Sequence, residues 1–169
     1  RGIAAADQML KAAEVRLLLS RPVCPGKYNI MVTGEVAAVQ SSLDAGERIG
    51  GDKVVDRLVI PRVHPQVVEA INLSAVPVGP GAVGVLEYFS VTASIQGADA
   101  AVKAADVTLL EVRLGVGIGG KSFVVLTGEV AAVEEGVAHG AAATEAAGML
   151  VDKVVIPRPH PDLFETLIG

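Results

Sequence analysis

Apolar residues recur three and four positions apart at Ile3, Ala6, Leu10 and Ala13, and again at Ile95, Ala98, Val102 and Ala105. This spacing lines one face of an amphipathic helix in each place. Short β-compatible runs follow both helices, VRLLLS (15 to 20) and VTLLEV (107 to 112). After a turn comes a second pair of runs, YNIMVTG (28 to 34) and SFVVLTG (122 to 128). Val36, Val39 and Leu43, matched by Val130, Val133 and Val137, return to the helical period. Each of these helices starts at a Glu, whose negative charge suits a helix N-terminus. DRLVIPR (56 to 62) and DKVVIPR (152 to 158) read as strands ended by proline. PQVVEAI and PDLFETLI then close each half as short helices.

The two halves are copies. DQMLKAAEV at 7 to 15 matches DAAVKAADV at 99 to 107. TGEVAAV at 33 to 39 recurs unchanged at 127 to 133, and VIPRVHP at 59 to 65 returns as VIPRPHP at 155 to 161. The order is the same in both, and the separation between matched positions grows only through small loop insertions, so a duplicated unit is expected. The reading is of a first domain over 1–73, a Pro- and Gly-rich linker over 74–81 (SAVPVGPG) and a second domain over 82–169. Each has the order β-α-β-β-α-β-α, an α+β arrangement of ferredoxin-like character with helices against a sheet. The copies differ at their starts. Arg1 aligns with Ala93, so the apolar run AVGVLEYFSV (82 to 91) has no partner in the first copy. A missing strand would expose a sheet edge, so the expectation is that the sequence lacks its true beginning.

Composition narrows the classes of function. Hydrophobic residues make up 51% of the 169 positions but aromatics only 3%, with no Trp, which suits thin, closely packed layers and subunit contact better than a deep aromatic-lined cavity. A net charge of −5 argues against binding nucleic acid. No apolar run reaches the ~18 residues of a membrane span, so no membrane partner is expected. A single Cys excludes an internal disulfide and fits a reducing, cytoplasmic setting, and no signal segment is recognisable.

That cysteine, Cys24, lies in RPVCPGKY between Pro22 and Pro25. An unpaired Cys ordinarily reads as a small buried hydrophobe. A proline-flanked turn, by contrast, is an exposed place for a thiol and favours a chemical use. The prolines fix φ, and Gly26 permits the tight turn. The corresponding turn of the second copy, GVGIGGK at 115 to 121, carries no Cys. It is read as lacking the GxxxxGK[ST] register, and a strand follows it rather than a helix, so it is expected to be a close-packing loop and not a phosphate cradle. His64 and His160 stand in PRxHP without a carboxylate or Cys at ligand spacing, and His139 reads as an exposed helix residue. No catalytic constellation emerges, so no enzymatic activity is expected.

The helix AADxxLKAA, the turn ending in GK, the repeated GEVAAV and above all VIPRPHP at the end of the last strand resemble the shell-protein domain of bacterial microcompartments. Two such domains in one chain resemble the tandem-domain class, whose trimers mimic hexamers. PVCPGKY opposite GVGIGGKSF is most similar to the iron-sulfur T-type shell proteins of propanediol utilisation. The resemblance implies a homotrimer, placed in a cytoplasmic microcompartment shell among other shell proteins and serving an encapsulated redox enzyme. It also implies a pore loop of Pro22, Val23, Pro25, Gly26 and Lys27, with Gly117, Ile118, Gly119 and Gly120 from the second copy. Cys24 matches the position that holds a shared 4Fe-4S cluster, one Cys per subunit, for electron transfer or cluster delivery. Lys11, Arg62, His64, Lys103, Arg158 and His160 match the edge where tiles meet. Two other readings stay open: a shell tile with a plain solute pore, and a small-ligand-binding regulator on a ferredoxin-like scaffold.

Overall fold

The structure is a computed structural model that describes residues 1–74, 79–115 and 119–168. The chain forms two compact units, Arg1–Pro61 and Arg62–Gly169. Among the described residues no helix is long and apolar enough to cross a membrane.

The first unit opens with helix α1 (Gly2–Ala12), then strands β1 (Arg16–Val23) and β2 (Lys27–Thr33), helix α2 (Val36–Gly50) and a single 3-10 turn (Gly51–Lys53). The strands pair antiparallel as a two-stranded sheet. Small residues let the two helices approach closely. Ala5, Ala6 and Met9 of α1 and Ser42, Ala45 and Gly46 of α2 are buried. A Cβ on Gly46 would stand 2.7 Å from the Met9 side chain. Ser42 is wholly buried but satisfied, its hydroxyl donating to the Met9 carbonyl at 3.0 Å.

The second unit holds α3 (Pro65–Ile71), β3 (Ala82–Tyr88), α4 (Val91–Ala104), β4 (Val107–Leu114), β5 (Ser122–Gly128), α5 (Val130–Glu145), β6 (Leu150–Ile156) and α6 (Pro161–Ile168). From β3 onward this is the β-α-β-β-α-β-α order expected of one repeat. The four strands are antiparallel in the order β4-β5-β3-β6. Period-two alternation along β3 explains the layering. Gly84, Leu86 and Tyr88 meet α5 and the α4–α5 crossing on one face. Val83 and Val85 on the other face pack with Leu110, Val125, Phe123 and Ile156 against Phe164 and Leu167 of α6. Gly97 and Gly140 bring α4 and α5 together: a Cβ on Gly97 would collide with the Tyr88 hydroxyl and crowd the Gly140 carbonyl at 3.1 Å.

Two sequence expectations meet a different outcome. DRLVIPR of the first copy is not a strand: residues 54–60 pair with nothing in a sheet. Its counterpart β6 is a strand through its pairing with β3. The stretch is tied to α2 instead, Arg57 reaching Glu47 at 2.5 Å and Asp44 at 3.3 Å. The helix expected to close the first copy, α3, packs on β4 and α4 within the second unit. Of the expected linker, residues 75–78 lie outside the described residues.

Candidate functional site

Strands β1 and β2 run together to a tip of three residues, Cys24, Pro25 and Gly26, with Pro22 opposite Tyr28 and Val23 opposite Lys27. Three-residue hairpin loops end on a residue with positive φ, which favours glycine. Gly26 has φ +74°, and a Cβ there would meet nothing within 4 Å, so the demand is purely one of backbone conformation. The peptide before Pro25 is cis. Val23 is buried and anchors the base of the turn, while Pro22, Cys24, Pro25, Gly26 and Lys27 are exposed. Below the tip the Ser20 and Tyr28 hydroxyls share a hydrogen bond of 3.1 Å. The Cys24 thiol is free and exposed.

Among the described residues no group of three or more His, Cys, Asp or Glu side chains could hold a metal ion. One chain therefore presents a single soft donor on a narrow support.

The matching turn of the second copy is built differently. Gly115, Gly119 and Gly120 all have positive φ, while Gly117 and Ile118 lie outside the described residues. Contrary to the sequence reading, the letters from Gly115 to Ser122 do fit the GxxxxGK[ST] spacing of a phosphate-binding loop. However, Ser122 opens β5 and its buried hydroxyl donates to the Arg113 carbonyl, so there is no helix N-terminus to receive an anion. Lys121 pairs with Glu87 of β3 at 3.0 Å, and the Arg113 guanidinium lies 5.2 Å from the centre of the Phe123 ring. Lys27, the repeat counterpart of Lys121, is exposed.

The residues expected at an assembly edge fall into two groups. Lys11 and Lys103 are each held by an Asp one helical turn earlier, Asp7 at 2.7 Å and Asp99 at 2.5 Å. Arg62, exposed, takes a positive φ of 54°, and Arg158 is also exposed. His64 is partly buried with Nδ1 lacking a hydrogen-bond partner among the described residues, whereas His160 is exposed and its Nδ1 accepts the Asp162 amide at 3.3 Å. His139 is an exposed helix residue that bonds its own helix. Sequence reasoning overlooked Asp99 and Gln66. Asp99 accepts the backbone N–H of His64 at 2.8 Å, and Gln66 accepts that of Leu109 at 2.9 Å. The D-x-x-x-K spacing repeated in both copies was the available signal for the first.

The bacterial microcompartment (BMC) domain model matches residues 1–63 and again 82–159. The chain is 43% identical to the bacterial microcompartment shell protein PduT of Citrobacter freundii, over 99% of this chain and 91% of that protein. A crystal structure of a microcompartment protein from Desulfitobacterium hafniense superimposes with a TM-score of 0.92 at 52% identity, covering 97% of this chain and 91% of that one. The fused permuted hexameric shell protein MSM0275 of the RMM microcompartment gives a TM-score of 0.64 at 25% identity over 86% of this chain and 78% of that one. With the motif present twice and the sheet order of the second unit in place, the chain belongs to the BMC-domain family of microcompartment shell proteins and carries two such domains in tandem.

Proposed function

We propose that three copies of this chain close a ring that tiles a microcompartment shell in the cytoplasm, and that the three Cys24 thiolates meet at the ring axis to hold one iron-sulfur cluster. The observation that carries this reading is the placement of the chain's one cysteine, free and exposed, at the tip of a proline-flanked hairpin. Any residue near a threefold axis occurs three times around it, so a donor that is single in one chain becomes a set of three. Three thiolates fit a 4Fe-4S cluster with one iron left to a ligand from outside, and a cluster so held would supply one-electron transfer or be handed on. The chain's own contribution is positional: Val23 and the β1–β2 ladder fix the tip, and Gly26 lets it turn within three residues. The plain-pore reading and the scaffold of a small-ligand regulator become outcomes of the test.

The test joins native mass to iron and sulfide analysis of protein reconstituted without oxygen. The expected result is a trimer carrying a cluster's iron and sulfide per three chains with visible absorption, and a Cys24→Ser trimer without either. A trimer free of iron would sink the cluster and favour the plain pore. A monomer or dimer would sink the ring and favour the regulator.

A further inference from the structure

The two hairpins of the repeat are fastened to their helices by different groups. In the second unit the link is a pair of small hydroxyls. Ser94 of α4 and Ser122 at the start of β5 are both wholly buried and lie 2.5 Å apart, and Ser122 also donates to the Arg113 carbonyl on β4. The first copy has Gly2 on α1 and Tyr28 on β2 at these positions, and Ser20 on β1 stands where β4 has Val112. All three replacements meet at one point. A Cβ on Gly2 would stand 2.5 Å from both Cβ and Cγ of Tyr28, and the Tyr28 hydroxyl shares a hydrogen bond with that of Ser20.

Size and polarity account for the exchange. The Tyr28 ring occupies the space that a side chain at residue 2 would need, so a tyrosine there demands glycine on the facing helix. A half-buried phenol also needs a partner for its hydroxyl, and β1 supplies Ser20 where β4 carries an apolar valine. The three differences between the copies therefore form one packing unit.

That unit lies directly beneath the thiol. Tyr28 stands opposite Pro22 in the ladder, one row below Val23 and Lys27, and the tip of Cys24, Pro25 and Gly26 follows at once. The tip residues are exposed and bring no packing of their own. A ligand to a metal centre must be held to within about 0.5 Å by neighbours whose own side chains are locked. Tyr28 meets that demand from below, reaching α1 through Gly2 and β1 through Ser20.

We infer that Tyr28 is a positioning residue for Cys24: wedged against Gly2 and oriented by Ser20, its ring fixes the angle at which the hairpin presents the thiol. The inference rests on the proposed cluster for what the thiol then does, while the wedge itself requires no metal.

Cys24 is the chain's only cysteine, so a nitroxide label placed on it reports the tip alone. Labelled chain is diluted with unlabelled Cys24→Ser chain so that labels do not meet, and circular dichroism confirms the fold. Tyr28→Ser combined with Gly2→Ser recreates the hydroxyl pair of the second copy while removing the ring. This double variant is expected to fold and to give the sharp lines of a mobile label where the wild type gives broadened ones. After reconstitution without oxygen, its unlabelled trimer is expected to hold less iron than wild type and to show a broadened electron paramagnetic resonance spectrum of the reduced cluster. Tyr28→Phe keeps the ring and is expected to match the wild type in both readings. Should the double variant misfold, Tyr28→Leu takes its place with the same expectation. A wild-type label already mobile, a ring-less variant as ordered as wild type, or a Phe variant as mobile as the ring-less one overturns the inference. A wild type that binds no iron overturns the cluster but not the wedge, which the label reads without any metal.

Discussion

Replacing Tyr88 by phenylalanine should change how stability depends on pH more than it changes stability itself. The side chain is wholly buried beneath the α4–α5 crossing, and its hydroxyl donates to the Gly140 carbonyl at 3.0 Å. Losing that bond costs about 1–2 kcal/mol near neutral pH, since the carbonyl keeps its place in the helix and only one partner is removed. Burial also pushes the phenol pKa well above its ordinary value of 10.0. The sign follows from proton counting. Above pH 10 the unfolded chain releases the phenolic proton while the folded chain keeps it, so the unfolded state binds fewer protons and stability falls with rising pH. The contribution is fully present below pH 10 and is lost at about 1.4 kcal/mol per pH unit above it, up to the raised folded value. The Tyr88→Phe variant would have no such slope. Urea unfolding followed by circular dichroism from pH 8 to pH 11.5 should show wild type ahead at pH 8, with the advantage gone by about pH 11. All other titrating groups are common to both proteins and cancel. Parallel stability curves would refute the claim that this phenol is held neutral by burial.

Two further substitutions separate core from turn. Phe164→Ala removes the one ring that α6 sets into the cluster of Val83, Leu110 and Val125. It should cost about 3–4 kcal/mol by denaturant unfolding and expose the C-terminal helix to protease. Gly26→Ala meets no atom within 4 Å but must adopt φ +74°, so a loss of about 1 kcal/mol is expected, and a loss several times larger in the same titration would mean the tip is packed after all.

What the sequence made legible follows the range of the interactions involved. Helical periods and hairpin turns are local, and α1, α2, α4, α5 and the β1–β2 and β4–β5 hairpins stand where the pattern put them. The repeat was legible because two copies print the same letters in the same order. A strand, however, is a statement about a neighbour. DRLVIPR and DKVVIPR are nearly the same string, yet only the second forms a ladder, through its pairing with β3. The docking of α3 on the second unit was hidden for the same reason: PQVVEAI shows an apolar face but not which surface receives it. At the candidate site the exposed thiol was legible from its prolines. The acceptor role of Asp99 was not, because a carboxylate four residues before a lysine reads equally well as a solvated helix pair.

The asymmetry between the copies carries the last step. If both copies bore the Cys24 loop, a ring of three chains would bring six thiols to its axis, more than the four that one cluster can use. The first copy carries its cysteine in the three residues between β1 and β2, whereas the seven residues between β4 and β5 of the second copy are rich in glycine and hold none. Lys121 at the turn before β5 pairs with Glu87 of β3, and Lys27, three residues after Cys24, is exposed. In the proposed ring, divergence of the two turns would thus leave three thiols where two like copies would bring six.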